Sequence, residues 1–232
     1  MITFNFIMAG VITLVILLIA SVREGRLRAI IYGLPLPITT ALIATKSQID
    51  ASHVIGLFLL CVFLWLVFFF YKKRNLTIIA SDILSATIYV ILGFFLIRII
   101  SIDFWKMVFF YLLFWIIYLL RYQPKYEQGS KSPIKPLIKG GLVFVISLCL
   151  LLLKSILRGV VVTFPFSGIF AVVEAKDTLY TLAGEFTKNS LSILVFFIIV
   201  NVLSPKIGYY QSILLGWLFY FPILLLLQKI KH

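Results

Sequence analysis

Asp82 is the deepest acid in any apolar run of the chain, and Ser81, Ser85 and Thr87 lie beside it. It sits about 9 Å into its run, at about 1.5 Å per residue. A carboxylate there is costly in lipid and marks a proton or cation site, here read as a coupling carboxylate. The bland alternative is a side chain reaching back to Lys72, Lys73 or Arg74 at the nearer surface. A second set of residues surrounds prolines within apolar runs: Gly33-Leu-Pro35-Leu-Pro37 with Thr39 and Thr40, and Thr163-Phe-Pro165-Phe-Ser167-Gly168. Proline removes a backbone donor and clashes one turn back, so neighbouring carbonyls become free to bind a solute or an ion. Gly33, Pro35, Thr39, Pro165, Ser167 and Gly168 are therefore the candidate substrate-binding residues. The alternative is a packing kink whose Thr and Ser hydroxyls cap their own helix. A third set, EAKDTLYTLAGEFTK, spans Glu174 to Lys188 and includes Glu185. It is read as a cytoplasmic gate, or else as a surface ion-pair cluster.

Other chemistry is poorly supplied. His53 and His232 are the only histidines, and Cys61 and Cys149 sit singly inside apolar runs. No His/Cys/carboxylate group has metal-ligand spacing, so neither a metal nor a cofactor is expected. No G-x-S-x-G, P-loop or dinucleotide fingerprint occurs, and an enzyme is not expected.

The elements that position these residues follow from composition. The 232 residues are 62% apolar, 16% aromatic and 12% charged. A soluble domain is nearer half apolar and a quarter charged, so the chain belongs in lipid. Nine apolar runs fall near 2–22, 29–45, 54–71, 76–100, 104–121, 138–154, 159–175, 188–204 and 208–228. Backbone groups in lipid must pair internally, which makes each run an α-helix and the fold all-α, a polytopic transmembrane bundle.

The net charge of +13 is read as a topology signal rather than as nucleic-acid binding. With nine spans and the N-terminus outside, most Lys and Arg fall in inner loops, among them Arg23, Arg26, Arg28, Lys72, Lys73, Arg74 and Arg121. Treating 29–45 and 159–175 as re-entrant leaves seven spans and almost no bias. The first run lacks a preceding positive charge and is followed by arginines, so it reads as a retained span rather than a signal peptide. The polar segment 121–139 reads as a basic cytoplasmic linker, a solvated hinge or a patch for anionic lipid headgroups.

Residues 28-RAIIYGLPLPITTALIATK-46 and 158-RGVVVTFPFSGIFAVVEAK-176 align without a gap. Arg28 pairs with Arg158, Pro35 with Pro165, Ala41 with Ala171 and Lys46 with Lys176. Five spans separate the copies, so the second is inverted. The expected organisation is a four-span repeat (1–103), a connecting span with its linker (104–137) and a second four-span repeat (138–232). Inverted repeats of this kind recur in transporters.

The stretches AIIYGLPLPITTALIA and TFPFSGIFAVVEAKDTLYTLAGEFTKNSLSILVFFIIV resemble the proline-containing span, polar loop and following span of the GlpM family of small bacterial inner-membrane proteins. The chain looks like two such units joined by one inverting span. The resemblance implies a bacterial inner-membrane location and an association with glycerol metabolism or alginate production. It carries over no catalytic residue.

Together these readings give a small-solute secondary transporter or permease with its site between the two broken spans. Asp82, Glu174 and Glu185 would couple or gate. The alternative is a non-catalytic membrane subunit assisting an envelope, polysaccharide or glycerol-related system. A lipid-modifying enzyme is a third, weaker reading. The expected partners are the bilayer, anionic headgroups and a small solute, with a homo-oligomer or a membrane partner left open and no nucleic acid. The C-terminus is expected in the cytoplasm.

Overall fold

The computed structural model describes residues 2–45, 47–99, 103–123, 127, 129, 140–141, 144–145 and 166–229. Most of the expected span 138–154, the residues before Phe166 in the run 159–175, and Pro165 itself lie outside the described residues. Helix α1 is Ile2–Ser21, α2 is Gly25–Gly33, α3 is Leu36–Thr45 and α4 is Ala51–Phe68, which a π-turn extends through Phe69–Lys73. Helix α5 is Ile78–Ile99, α6 is Phe104–Arg121 and α7 is Phe166–Glu174. After a 3₁₀ turn at Lys176–Thr178, α8 runs Leu179–Ile207 and α9 runs Tyr209–Lys229. No strand occurs among the described residues.

Among the described residues, five segments are long and apolar enough to cross a membrane: Ala51–Lys73, Ile78–Leu96, Phe104–Arg121, Lys176–Ile207 and Tyr209–Lys229. The chain is a multi-pass, membrane-embedded helical protein on that ground. Its outward surface agrees. On α6, Phe109, Phe110, Leu113, Ile116, Ile117 and Leu120 are exposed, an apolar face suited to lipid.

Local chemistry sets the element ends. Asp50 caps α4 by accepting the Ser52 backbone N–H at 2.9 Å. The His53 ring, 2.9 Å from the same carboxylate, is the main cause that holds Asp50 down to about 2. Gly208, at φ 96°, makes the sharp turn between α8 and α9, a conformation that side chains disfavour. The two helices then pack along their length. Gly216 faces Phe196 and Val200 so closely that an added Cβ would meet the Phe196 ring at 2.7 Å. Small residues at helix crossings give this close approach in membranes.

Helix α8 is the axis of the bundle. The sequence reading leaves 176–187 as a loop and starts a span at 188, whereas the helix begins at Leu179. The segment contains no proline, and its polar side chains find partners inside the protein, so nothing stops the helix. Residues 181–190 are buried throughout. Helix α6 supplies one wall. Trp115 Nε1 donates to the Lys188 carbonyl at 2.9 Å, Tyr118 Oη to the Gly184 carbonyl at 2.9 Å and Tyr111 Oη to Ser190 Oγ at 2.6 Å. Tyr118 and Tyr122 thus face inward; Tyr122 is 6% exposed.

The Tyr122 ring rests on Gly184, where an added Cβ would come within 2.2 Å of it. Gly184→Ala should therefore expel the ring and cost about 1–3 kcal/mol, read as a lower melting temperature in detergent. In a Tyr122→Leu background the same change should cost clearly less. Equal cost in both backgrounds would place the strain elsewhere.

Candidate functional site

The first broken span is filled by packing. Pro35 has no N–H for the Ile31 carbonyl, which takes the Leu34 N–H at 3.3 Å instead. Pro37 has none for the Gly33 carbonyl, and Tyr220 Oη of α9 donates to it at 2.9 Å. Thr39 Oγ1 accepts Trp217 Nε1 at 3.0 Å, and Thr40 Oγ1 donates back to the Leu36 carbonyl at 2.6 Å. The groups released by the break around Gly33, Pro35 and Thr39 are thus held by aromatic tips from α9, as in a packing kink. In the second copy only the part from Phe166 onward is described. Gly168 is buried in α7, and Ser167 lies in the first turn of that helix. Helix α7 packs on α1 and α5, whereas the Gly33 region meets Phe186 of α8 and Tyr220 of α9.

The ionic chemistry collects at the start of α8. Glu185 Oε2 lies 2.7 Å from Lys188 Nζ, one helical turn on, and 3.8 Å from Arg26 Nε of α2. The Glu185 and Lys188 side chains are only 5% and 4% exposed. That rules out a surface cluster, where such pairs contribute little. Arg26 Nε also donates to Gln228 Oε1 of α9 at 2.6 Å, and Arg26 Nη2 reaches the Gln228 carbonyl. Gln228 Nε2 in turn donates to Asn189 Oδ1 at 2.7 Å. Asn189 Nδ2 is buried with no hydrogen-bond partner among the described residues. The network joins α2, α8 and α9, carries two positive charges to one negative, and keeps one donor unmet.

A second buried cation lies beside it. Arg28 is 1% exposed. Its Nε donates to the Val22 carbonyl at 2.7 Å, and Nη1 reaches the Glu174 carbonyl at 3.1 Å and Thr178 Oγ1 at 3.2 Å. Glu174 therefore meets Arg28 through its backbone and belongs to the same end of the bundle as Glu185. Linker residues close this end. Glu127 Oε2 accepts the Thr181 N–H and hydroxyl, each at 3.1 Å, and the Gly129 N–H donates to the Arg23 carbonyl at 2.9 Å.

The far end of α8 is different. A cavity of about 210 Å³ is lined by Gln48, Ile49, Val200, Asn201, Ser204, Pro205 and Tyr209. Pro205 removes the helical donor for the Asn201 carbonyl. Asn201 Nδ2 donates to the Ile49 carbonyl at 2.6 Å, and Tyr209 Oη contacts the Leu42 and Ser47 carbonyls at 2.8 and 3.2 Å. Residues 193–200 between the two polar ends are apolar, with Phe196, Phe197 and Val200 buried.

Asp82 belongs to neither end of α8. It lies on α5, buried, beside α7, and no ion pair joins it to Lys72, Lys73 or Arg74 among the described residues. Lys72 and Arg74 instead lie over the Tyr71 and Phe69 rings, at 5.0 and 5.3 Å. Of the residues singled out by sequence, the structure groups Glu174 with Glu185 and leaves Asp82 and Gly33 apart. Sequence reasoning missed Arg26, Asn189 and Gln228 as partners. Only Asn189 carried a signal: Glu185, Lys188, Asn189 and Ser192 recur at three- and four-residue spacing, one face of a helix. No family model matches the chain, and neither curated proteins nor solved structures give a match.

The buried pair makes an energetic prediction. Lys188→Met leaves the buried Glu185 charge only Arg26, at 3.8 Å, and should cost about 3–5 kcal/mol, whereas Glu185→Gln with Lys188→Met together should recover most of it. Thermal unfolding of the wild type, the two single variants and the double variant in detergent measures the difference. Single-variant losses below about 1 kcal/mol would mean that water reaches the pair.

Proposed function

We propose that the chain moves a small polar solute across a membrane, with α8 as one wall of the path. The observation that carries this reading is the buried Glu185–Lys188 pair, inside a helix long enough to span. Ionisable groups at such positions are rare and mark solute or ion paths in many membrane proteins. Glu185, Lys188 and Arg26 form the inner gate, closed in this conformation. The unmet Asn189 donor offers a hydrogen bond to a solute hydroxyl or carbonyl. The cavity around Asn201 and Ser204 is the outer vestibule, and the apolar stretch through Phe197 separates the two.

The orientation is part of the proposal. Arg23, Arg26, Arg28, Lys72, Lys73, Arg74, Arg121 and Lys176 gather at the end where α8 begins, and Arg98, Lys106 and Lys206 lie at the other. The positive-inside rule then puts the start of α8 in the cytoplasm of a bacterial inner membrane. Arg28, which opens α2, touches the residues that close α7, as expected if the second proline-containing segment runs opposite to the first. Nine spans, the inverted repeat and two GlpM-like units belong to the same reading, and glycerol is the first solute it suggests.

The test uses exposed positions in a protein whose Cys61 and Cys149 are replaced by Ala. Single cysteines at Gln48 and Lys176 should label from the periplasmic and cytoplasmic sides respectively. Proteoliposomes should take up radiolabelled glycerol faster than empty vesicles, and Glu185→Gln should remove the difference while the protein still inserts. Same-side labelling would remove the inverted path. Uptake unchanged by Glu185→Gln would remove the gate.

A further inference from the structure

Asp82 faces a groove of about 380 Å³ between α5 and α7, lined by Asp82, Ile83, Ala86, Thr87, Val90, Ile91 and Ile169. Its walls are almost wholly apolar. The Asp82 residue is 5% exposed, and its Oδ1 has no hydrogen-bond partner among the described residues. The serine and threonine hydroxyls beside it on α5 are engaged elsewhere. Ser81 Oγ donates to the Thr77 carbonyl at 2.9 Å, Ser85 Oγ to the Ser81 carbonyl at 2.7 Å and Thr87 Oγ1 to the Ile83 carbonyl at 2.8 Å. Each hydroxyl proton is thus directed into its own helix and away from the carboxylate.

A buried carboxylate needs a donor or a positive charge. Among the described residues that line it the groove supplies neither, while its walls favour an apolar body. Its size is that of a small-molecule pocket. Ile83, at its edge, is 62% exposed on the face of α5 that would meet lipid, so a ligand could enter from the bilayer.

We propose that this groove binds a monovalent lipophilic cation, an organic ammonium or phosphonium with an aliphatic or aromatic body, whose charge is held by Asp82. The cation supplies what the carboxylate lacks, and its body covers Ala86, Val90, Ile91 and Ile169. This binding is independent of the path along α8 and does not require that the chain transport anything.

Equilibrium binding of tritiated tetraphenylphosphonium to the full-length protein in detergent tests the proposal. Wild type should bind saturably. Asp82→Asn, which keeps the shape and removes the charge, should weaken binding by at least about tenfold. Ala86→Trp, which fills the groove and leaves Asp82 in place, should weaken it comparably. Both variants are compared at matched elution profile and melting temperature. Absence of saturable binding in wild type would overturn the site. So would an Asp82→Asn protein that binds within about twofold of wild type, the result expected if Asp82 is simply protonated and the groove only apolar. An unaffected Ala86→Trp protein would place the cation elsewhere and overturn the assignment as well.

Discussion

The constraint on which the bundle depends is the burial of Glu185 and Lys188 inside α8. Two charges removed from water cost several kcal/mol each, and their mutual attraction compensates only when the remaining polar atoms are also met. The packing around α8 follows from that requirement. Arg26 comes from the short helix after the first loop, Gln228 from the last turn of α9, and Glu127 from the linker, all converging on residues 181–189 at the start of one helix. Sequence distance is no obstacle: Arg26 and Gln228 are 202 positions apart. Because each partner would be costly to leave unpaired, the network fixes which helices lie against α8 and in what register.

The aromatic wall of α6 solves a related problem. A helix with buried polar residues cannot be sealed by leucines alone, since its serines and threonines still need donors or acceptors. Tyrosine and tryptophan bring a large apolar body with one polar tip. Tyr111, Trp115 and Tyr118 recur at four- and three-residue spacing and place three such tips on α8, while the opposite face of α6 stays purely apolar. The aromatic tips of α9 do the same for the carbonyl at Gly33. The proline break after Gly33 is thus closed by a neighbouring helix.

Composition and run length made the helical, membrane-embedded class legible, because a bilayer admits few spanning structures. Proline made the break after Gly33 legible. The limits of the sequence had physical causes. Polar residues near the end of an apolar run look like a loop when read along one strand of sequence. Whether Glu185 and Lys188 face water or protein is decided by Arg26, Asn189 and Gln228, and nothing local announces a contact made across the whole chain. The gating role given to Glu174 rested on its carboxylate, whose charge does act on Arg28, whereas the hydrogen bond from Arg28 to the Glu174 backbone carbonyl had no local signal. The freed carbonyl at Gly33 was legible from Pro37, whereas the Tyr220 hydroxyl that occupies it was not.

The two ends of α8 are chemically unlike, and that asymmetry bears on how a solute would pass. The starting end is ionic, filled and tied to three other segments. The far end is neutral and open, lined by amide and hydroxyl groups. A neutral polar solute would enter the far end by exchanging hydrogen bonds with water, but could leave at the ionic end only if Arg26, Lys188 and Glu185 separated. Separating them without a replacement partner would cost the desolvation that the pairing now offsets. A solute able to hydrogen-bond both the carboxylate and the unmet Asn189 donor would lower that cost as it arrived. Opening would then be coupled to occupancy, and the selectivity of the path would reside in the geometry of the ion cluster rather than in the proline breaks.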